Sequence, residues 1–499
     1  MDLNQIFNFA VERFPNKIAV VDGERKYTYR QLGKEVNSVA SSFHKIGIKK
    51  KDRIALLLKN RLESIVIFWA IQKLGAIFAP INSRQSQEVV HYCLNDLEAK
   101  LIIYEQSTEI LINKTKFKER PLLLNIDGKG DINYSELTRL SSNDFNPNEI
   151  NSDDLAVILY TSGTTGRPKG VPRSHQNEYS SSYAHIFQCH YQLHDTTLGV
   201  MPLYHTMGLR SLISMVMLNG TYIIQREFDA YDAVTLIETE KITCLYLFPN
   251  MYYDIAMLTD ITSSYFNEIR TIAYAGAPMS KRVVQLCQDI FQPSYFVNHY
   301  GSTEVYTFTY CDNIDKKPGC AGKPGIHQNI RIIEPDIKRT KTPEDIVEEG
   351  KVGEIIVNLQ SPEAFKGYWN KPDLTKRSVV QSWYYTGDLG YIDSDGDMYV
   401  VGRIDEMILC AGDNIYPLEV ENVLMEHPKV DKAVVVGECD ERWGQIVVAI
   451  IVPSDDTLSV GELDLFCKNH PILSNYKRPR RYIFESTLPK KYLRTKTFV

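Results

Sequence analysis

The sequence predicts an α/β protein: a large first domain of sheets faced by helices, a small β subdomain closing it, and a compact α+β lobe at the end. Three observations predict this. Helix-period and strand-like segments alternate through the first part of the chain. From Gly319 to Val401 the texture changes to short β-like runs broken by Gly, Pro and Asp turns. After Gly402-Arg403 a short α/β pattern starts again. The boundary is therefore expected at 402–406, with residues 1–402 in the large domain and 403–499 in the last one. A chain of 499 residues also exceeds what one core usually holds.

Each element has a local reason. Leu3, Ile6, Phe7, Ala10, Val11 and Phe14 recur at helical spacing before Pro15, so an amphipathic helix opens the chain. Thr28 and Gln31 make a capping-box pattern ahead of Leu32, Val36, Val39, Ala40 and Phe43, and Gly47 supplies a stop. A strand-like RIALLL from Arg53, a helical ESIVIFWAIQKLG from Glu63 and a strand-like AIFAPIN from Ala76 follow. Strand patterns return at TYIIQ from Thr221, TCLYLF from Thr243 and TIAYAG from Thr271. The β subdomain holds IRIIE, GEIIVN and DMYVVG, beginning at Ile330, Gly353 and Asp397. In the last lobe a helix is expected around Glu419 to Glu426, then strands KAVVVGE and IVVAIIV. A Ser459-capped helix should follow, with Val460, Leu463, Phe466 and Cys467 on one face.

Composition narrows the function classes. Lys and Arg total 56 against 62 Asp and Glu, a net charge of −6, and no long basic run is present, which argues against a nucleic-acid-binding surface. Nine scattered cysteines without a CxxC pair fit free thiols in a reducing compartment. The first residues lack a basic start and apolar core, and no apolar run approaches the roughly 18 residues that span a bilayer. A cytoplasmic protein without a membrane span is expected.

The stretch LYTSGTTGRPKGVPRSH, Leu159 to His175, carries the chemistry. A buried strand that runs into Gly, Ser and Thr offers backbone N–H groups and hydroxyls to a phosphate chain, and Lys169 adds a mobile positive charge. The Walker A pattern does not fit, because Pro168 stands five residues after Gly163 and Gly170 follows Lys169. Read alone, the same residues also suit a solvated surface turn.

The longer string decides between these. YTSGTTGRPKG resembles the phosphate loop of the adenylate-forming superfamily, which includes acyl-CoA synthetases, amino-acid-activating domains and firefly luciferases. YGSTE from Tyr300, YYTGD from Tyr384, GRIDEMI from Gly402 and NIYPLEVE from Asn414 match further motifs of that family, in its order and over almost the whole chain. The resemblance implies stacked α/β sheets and a mobile last lobe. It implies a carboxylic acid–CoA ligase that makes an acyl-AMP from ATP and a fatty or aryl acid, then transfers the acyl group to coenzyme A.

The site follows residue by residue from that resemblance. Thr161, Ser162, Gly163, Thr164, Thr165 and Lys169 would cradle the outer phosphates. Tyr300 and Gly301 would flank adenine, Thr303 would touch the α-phosphate, and Glu304 would hold Mg²⁺, a hard cation suited to oxygen ligands. Asp388 would accept from the ribose hydroxyls, helped by Arg403. Tyr204, His205, Phe248, Ala275, Gly276, Ala277 and Asn298 would wall the acid pocket. Amino-acid-activating domains place an Asp where His205 stands, so an amine-free acid is expected here. CAGDN from Cys410 and DERWGQ from Asp440 resemble the coenzyme A face. Two departures stand out. Glu406, beside Asp405, occupies a pivot position that is usually Asp. The tail LPKKYLRTKTFV places Arg494-Thr495 where Gly-Lys belongs, so the catalytic lysine is assigned to Lys496.

Two other functions stay open on the sequence: an acyl-AMP ligase loading a carrier-protein thiol, and a catalytically impaired adenylate-binding homologue. His185, His190 and His194 are spaced five then four apart, which does not align them on one helix face, so no metal cluster is expected of them.

Overall fold

The protein is described here by a computed structural model covering residues 1–113, 115–128, 130–137, 149–161, 167–312, 314–336, 339–410, 413–440 and 442–488. Met1–Pro318, Pro324–Gln328 and Leu359–Arg377 form one compact unit, and the remaining segments form a second.

The first unit holds two large sheets. In one, Ile132–Asn133, Leu122–Asn125, Leu101–Tyr104, Arg53–Leu57, Ile77–Pro80, Leu155–Thr161 and Lys169–Ser174 lie in that order, parallel until the last antiparallel pair. The other runs Thr309–Cys311, Tyr295–Tyr300, Thr271–Ala275, Cys244–Leu247, Thr196–Gly199, Thr221–Ile224, Ile18–Asp22 and Arg25–Thr28. Its inner strands are parallel, which places the ends of several strands along one edge.

The helix Leu62–Leu74 is buried over nearly its whole length, as a helix apolar all round must be. It ends at Gly75, whose φ of 68° is the left-handed conformation that glycine supplies without strain. Trp69 stacks on Phe7 at 4.8 Å and Phe68 meets Phe78 at 5.0 Å, so one apolar core joins this helix, the opening helix Leu3–Arg13 and both sheets. The expected capping box at Thr28 is present, with Gln31 N–H donating to Thr28 Oγ1 and Thr28 N–H to Gln31 Oε1.

The second unit contains an antiparallel sheet of five strands, with Ile330–Ile333, Gly353–Asn358, Trp383–Ile392 and Val379–Val380 in order and Met398–Arg403 paired to Trp383–Ile392. A second five-stranded sheet orders Asp413–Ile415, Ile408–Cys410, Gly444–Pro453 and Val430–Asp440, with Arg481–Phe484 paired parallel to Gly444–Pro453. Pro417–Met425 and Val460–Asn469 cover the latter over a core of Val420, Leu424, Val435, Ala449, Ile451 and Leu463. Ser459 caps the last helix through Glu462 N–H. One detail differs from expectation: Val460 is 47% exposed, because its first-turn position points it off the buried face that Leu463 and Cys467 occupy.

Candidate active site

The first unit gathers the predicted acid and phosphate residues at the carboxyl ends of its strands, the place where α/β sheets bind ligands. His205 follows Thr196–Gly199, Phe248 follows Cys244–Leu247, Gly276 follows Thr271–Ala275, and the turn 301–304 follows Tyr295–Tyr300.

At its centre stands a three-group node. Lys169 Nζ donates to Glu304 Oε1 at 2.8 Å and contacts the Tyr368 hydroxyl at 2.7 Å, and that hydroxyl donates to the same carboxylate oxygen at 2.6 Å. Lys169 also lies 4.3 Å from the Tyr368 ring centroid. The hairpin explains the lysine's position. Leu155–Thr161 and Lys169–Ser174 are antiparallel, with Thr161 opposite Lys169, so the lysine begins the return strand. Gly170 permits the approach from the other side: Trp369 N–H donates to its carbonyl at 2.9 Å, and a Cβ there would stand 3.0 Å from the Trp369 Cβ.

Glu304 is held from below by an arginine the motif reading passed over. Arg173 is fully buried, and one of its terminal nitrogens reaches the carbonyls of Thr303 and Glu304 at 3.2 and 3.4 Å. Its charge is answered by Glu178 at 2.5 Å, and Tyr306 lies flat against it at 3.5 Å. Gly301 is required by the same turn, since a Cβ would fall 2.2 Å from the Tyr306 carbonyl oxygen. Tyr300 packs edge-on to Phe308 at 5.2 Å. Tyr368 and Arg173 were both absent from the motif reading, although Arg173 sits inside the VPRSH end of the first motif.

The acid-pocket residues adjoin this node in sequence and sheet. His205 meets Phe248 edge to face at 5.2 Å, and burial lowers its pKa to about 4, so it is neutral at ordinary pH. Gly276 has φ +88°, and a Cβ would approach Phe248 Cε1 to 2.7 Å. Ala275 packs on the core, Tyr204 is half-buried, Ala277 is the second residue after the strand end, and Asn298 is paired in register with Tyr274. A separate cleft of about 610 Å³ among Lys59, Arg61, Glu105, Asp127, Arg226 and Glu227 contains none of these residues. Its charges largely pair with one another.

In the second unit, Asp388 and Arg403 face each other as a cross-strand pair, with the guanidinium 2.6 Å from Asp388 Oδ1. Arg403 also bonds Asp405 at 2.8 Å. Gly387, at φ +73°, donates its N–H to Glu354, whose carboxyl is pushed above the usual range by burial. Ser162, Gly163, Thr164, Thr165 and Lys496 lie outside the described residues, as do Arg494 and Thr495.

The three histidines considered for a metal are separate. His190 stacks on Tyr295 at 3.9 Å and His194 meets Phe14 at 4.7 Å. His185 instead faces Cys189 and His299, with the three donor atoms within 4.8 Å of one another. The positive charge of Arg210 acts on both imidazoles and opposes a cation there.

The Glu304 carboxylate, nearly buried yet countered by a lysine that is partly exposed, fits a hard divalent ion once the lysine turns to a phosphate.

The family model for AMP-binding enzymes matches residues 7–369, and the model for the AMP-binding enzyme C-terminal domain matches 419–494. A 2-succinylbenzoate–CoA ligase of Bacillus licheniformis is 32% identical over 96% of this chain and 95% of its own length. A long-chain-fatty-acid–CoA ligase of Mycobacterium tuberculosis is 29% identical over 93% and 90%. The o-succinylbenzoate coenzyme A synthetase of Bacillus subtilis, solved with its acyl-adenylate, superposes with a TM-score of 0.85 at 26% identity over 98% and 96% of the two chains. Its complex with ATP and magnesium superposes at 0.84, with 26% identity over 98% of each chain.

Proposed function

The chain belongs to the AMP-binding enzyme family, and from that membership we propose that it activates a carboxylic acid with ATP and passes the acyl group to coenzyme A. It is an AMP-forming acid–thiol ligase using ATP, magnesium and coenzyme A. The observation that carries the site assignment is the Lys169–Glu304–Tyr368 node at the strand edge.

The chemistry needs charge to be managed, because a carboxylate must approach a polyphosphate. Lys169 is the mobile cation: in the resting chain it neutralises Glu304, and an entering phosphate draws it to the outer oxygens along with the loop residues 161–165. Glu304 is then free for magnesium, which when bound supplies charge neutralisation on the phosphate oxygens. Tyr300 would stack against adenine, Thr303 would reach the α-phosphate, and Arg173 keeps that turn in place. Asp388, oriented by Arg403, would accept from the ribose hydroxyls. Lys496 is proposed to reach the reacting carboxylate. The pocket of Tyr204, His205, Phe248, Ala275, Gly276, Ala277 and Asn298 would take the acid. Neutral His205 cannot serve as counter-ion to a substrate ammonium, so amine-free acids are favoured.

The last lobe, 403–499, is proposed to rotate between half-reactions about Asp405-Glu406. Gly402, at φ +147°, supports a turning point beside it. For the thiol step, exposed Trp443 beside Gly444 supports a coenzyme A face, and free coenzyme A is the proposed acceptor in place of a carrier protein. A cytoplasmic location is supported by nine free cysteines. No described helix is long and apolar enough to cross a membrane.

Hydroxamate trapping over fatty, aryl and dicarboxylic acids with ATP and magnesium tests the reading. At least one class should give product, and Lys169→Ala should slow ATP–pyrophosphate exchange. Failure of every acid, with or without coenzyme A, would remove it. Free coenzyme A compared with a phosphopantetheinylated carrier then identifies the acceptor.

A further inference from the structure

We infer that the acid taken by this site carries a second anionic group, in the simplest case another carboxylate, and that Arg210 receives it. The inference rests on the acid-activation reading above and names its substrate class.

Arg210 lies in the helix Thr206–Met217, which begins immediately after His205. It is 1% exposed. Its guanidinium donates to Thr307 Oγ1 at 2.5 Å and to the Tyr246 hydroxyl, its Nε has no partner, and its remaining described contacts are the faces of Tyr246 and Tyr306. No carboxylate is among them. Nothing nearby can become the missing anion: burial pushes the Tyr246 hydroxyl up to about 12 and the Tyr306 hydroxyl well above the ordinary range. Glu178, the carboxylate of this buried layer, is taken by Arg173. A guanidinium cannot shed its proton, so the chain keeps one positive charge out of water without a counter-charge.

The surroundings fit an incoming oxyanion. Burial holds His185 and His299 far below the usual imidazole range, so both are neutral. Each has one ring nitrogen without a partner, and their rings lie 4.5 and 5.7 Å from that of Tyr246. The two hydroxyls that hold Arg210 belong to the elements that carry the predicted pocket. Tyr246 lies two residues before Phe248, and Thr307 lies three after Glu304. An acid activated beside Glu304 would therefore direct its far end toward Arg210. A purely aliphatic tail would leave that charge desolvated and unanswered, which disfavours it.

The test uses the full-length protein and matched acid pairs, hexanoate with adipate, octanoate with suberate and benzoate with phthalate, read by pyrophosphate exchange and by the shift in Tm with ATP and magnesium present. In at least one pair the diacid should have the higher kcat/KM by about tenfold or more. Arg210→Met should lower kcat/KM for that diacid on the order of 100-fold while changing its monoacid partner only a few-fold, and Arg210→Lys should keep part of the preference. Monoacids preferred in every pair by the unaltered enzyme, a result that needs no variant to fold, would overturn the inference while leaving acid activation intact. Equal losses for both members of a pair in Arg210→Met would also overturn it. Failure of all acids would instead remove the acid-activation reading and this inference with it.

Discussion

Two arginines of the first unit are buried to the same degree, and their surroundings differ in one respect. Arg173 has a carboxylate, Glu178, at 2.5 Å, plus Ser181 and the carbonyls of Thr303 and Glu304. Arg210 has two hydroxyls and two ring faces. The difference teaches that burial of a charge does not by itself assign a role; the counter-charge does. A paired guanidinium is part of the resting architecture, and an unpaired one is completed by something that enters. The largest expected effect comes from breaking the pair. Arg173→Met leaves Glu178 buried alone and should cost about 3–5 kcal/mol of unfolding free energy, measured by denaturant titration. Replacing both Arg173 and Glu178 by Met should return most of that stability without restoring pyrophosphate exchange, because the Thr303–Glu304 turn has still lost its anchor.

Neither arginine titrates in the range where the neighbouring histidine does. His175 is fully buried, its Nδ1 accepts the Leu3 N–H at 3.2 Å, and burial lowers its pKa to about 4. The unfolded chain, with an ordinary imidazole near 6.5, binds the proton first as pH falls. Stability from this group is therefore complete above about pH 6.5 and is lost as pH falls toward 4, by at most about 3 kcal/mol. Urea titrations across that window should show His175→Gln with a shallower decline than the unaltered chain. Parallel declines would remove the assignment.

A smaller effect probes the node that Arg173 supports. Tyr368→Phe keeps the ring against Lys169 and deletes the hydroxyl shared by Lys169 and Glu304. Loss of hydrogen bonds to charged groups, at about 1.5–3 kcal/mol, predicts pyrophosphate exchange slower by about tenfold or more. An unchanged rate would make Tyr368 a packing residue.

What could be read ahead from the sequence divides along the same line. Lys169 and Glu304 were legible because phosphate and magnesium chemistry fixes their residue types inside a spaced motif. The Thr28 capping box and the Ser459 cap were legible because each is settled within four residues. Arg173, Tyr368 and Arg210 were not, since their roles depend on partners 130, 64 and 97 residues away. Sheet order was hidden for the same reason: Ile18–Asp22 pairs with Thr221–Ile224, and no local pattern announces a partner so distant. Val460 went the other way, its helical spacing correct and its first-turn exposure invisible to periodicity.

The smallest effect completes the comparison. Arg210→Met exchanges a buried, unanswered charge for an apolar chain of similar length. The Thr307 and Tyr246 hydroxyls lose a donor, a loss of about 0.5–1.5 kcal/mol each, while the desolvation cost of the guanidinium disappears. The two terms oppose each other, so unfolding free energy without substrate should change by less than about 1 kcal/mol, or rise. The measurement is the denaturant midpoint of Arg210→Met beside that of Arg173→Met. A fall as large as the one for Arg173→Met would mean that the charge of Arg210 is already answered in the resting protein, and the two arginines would then be the same kind of residue.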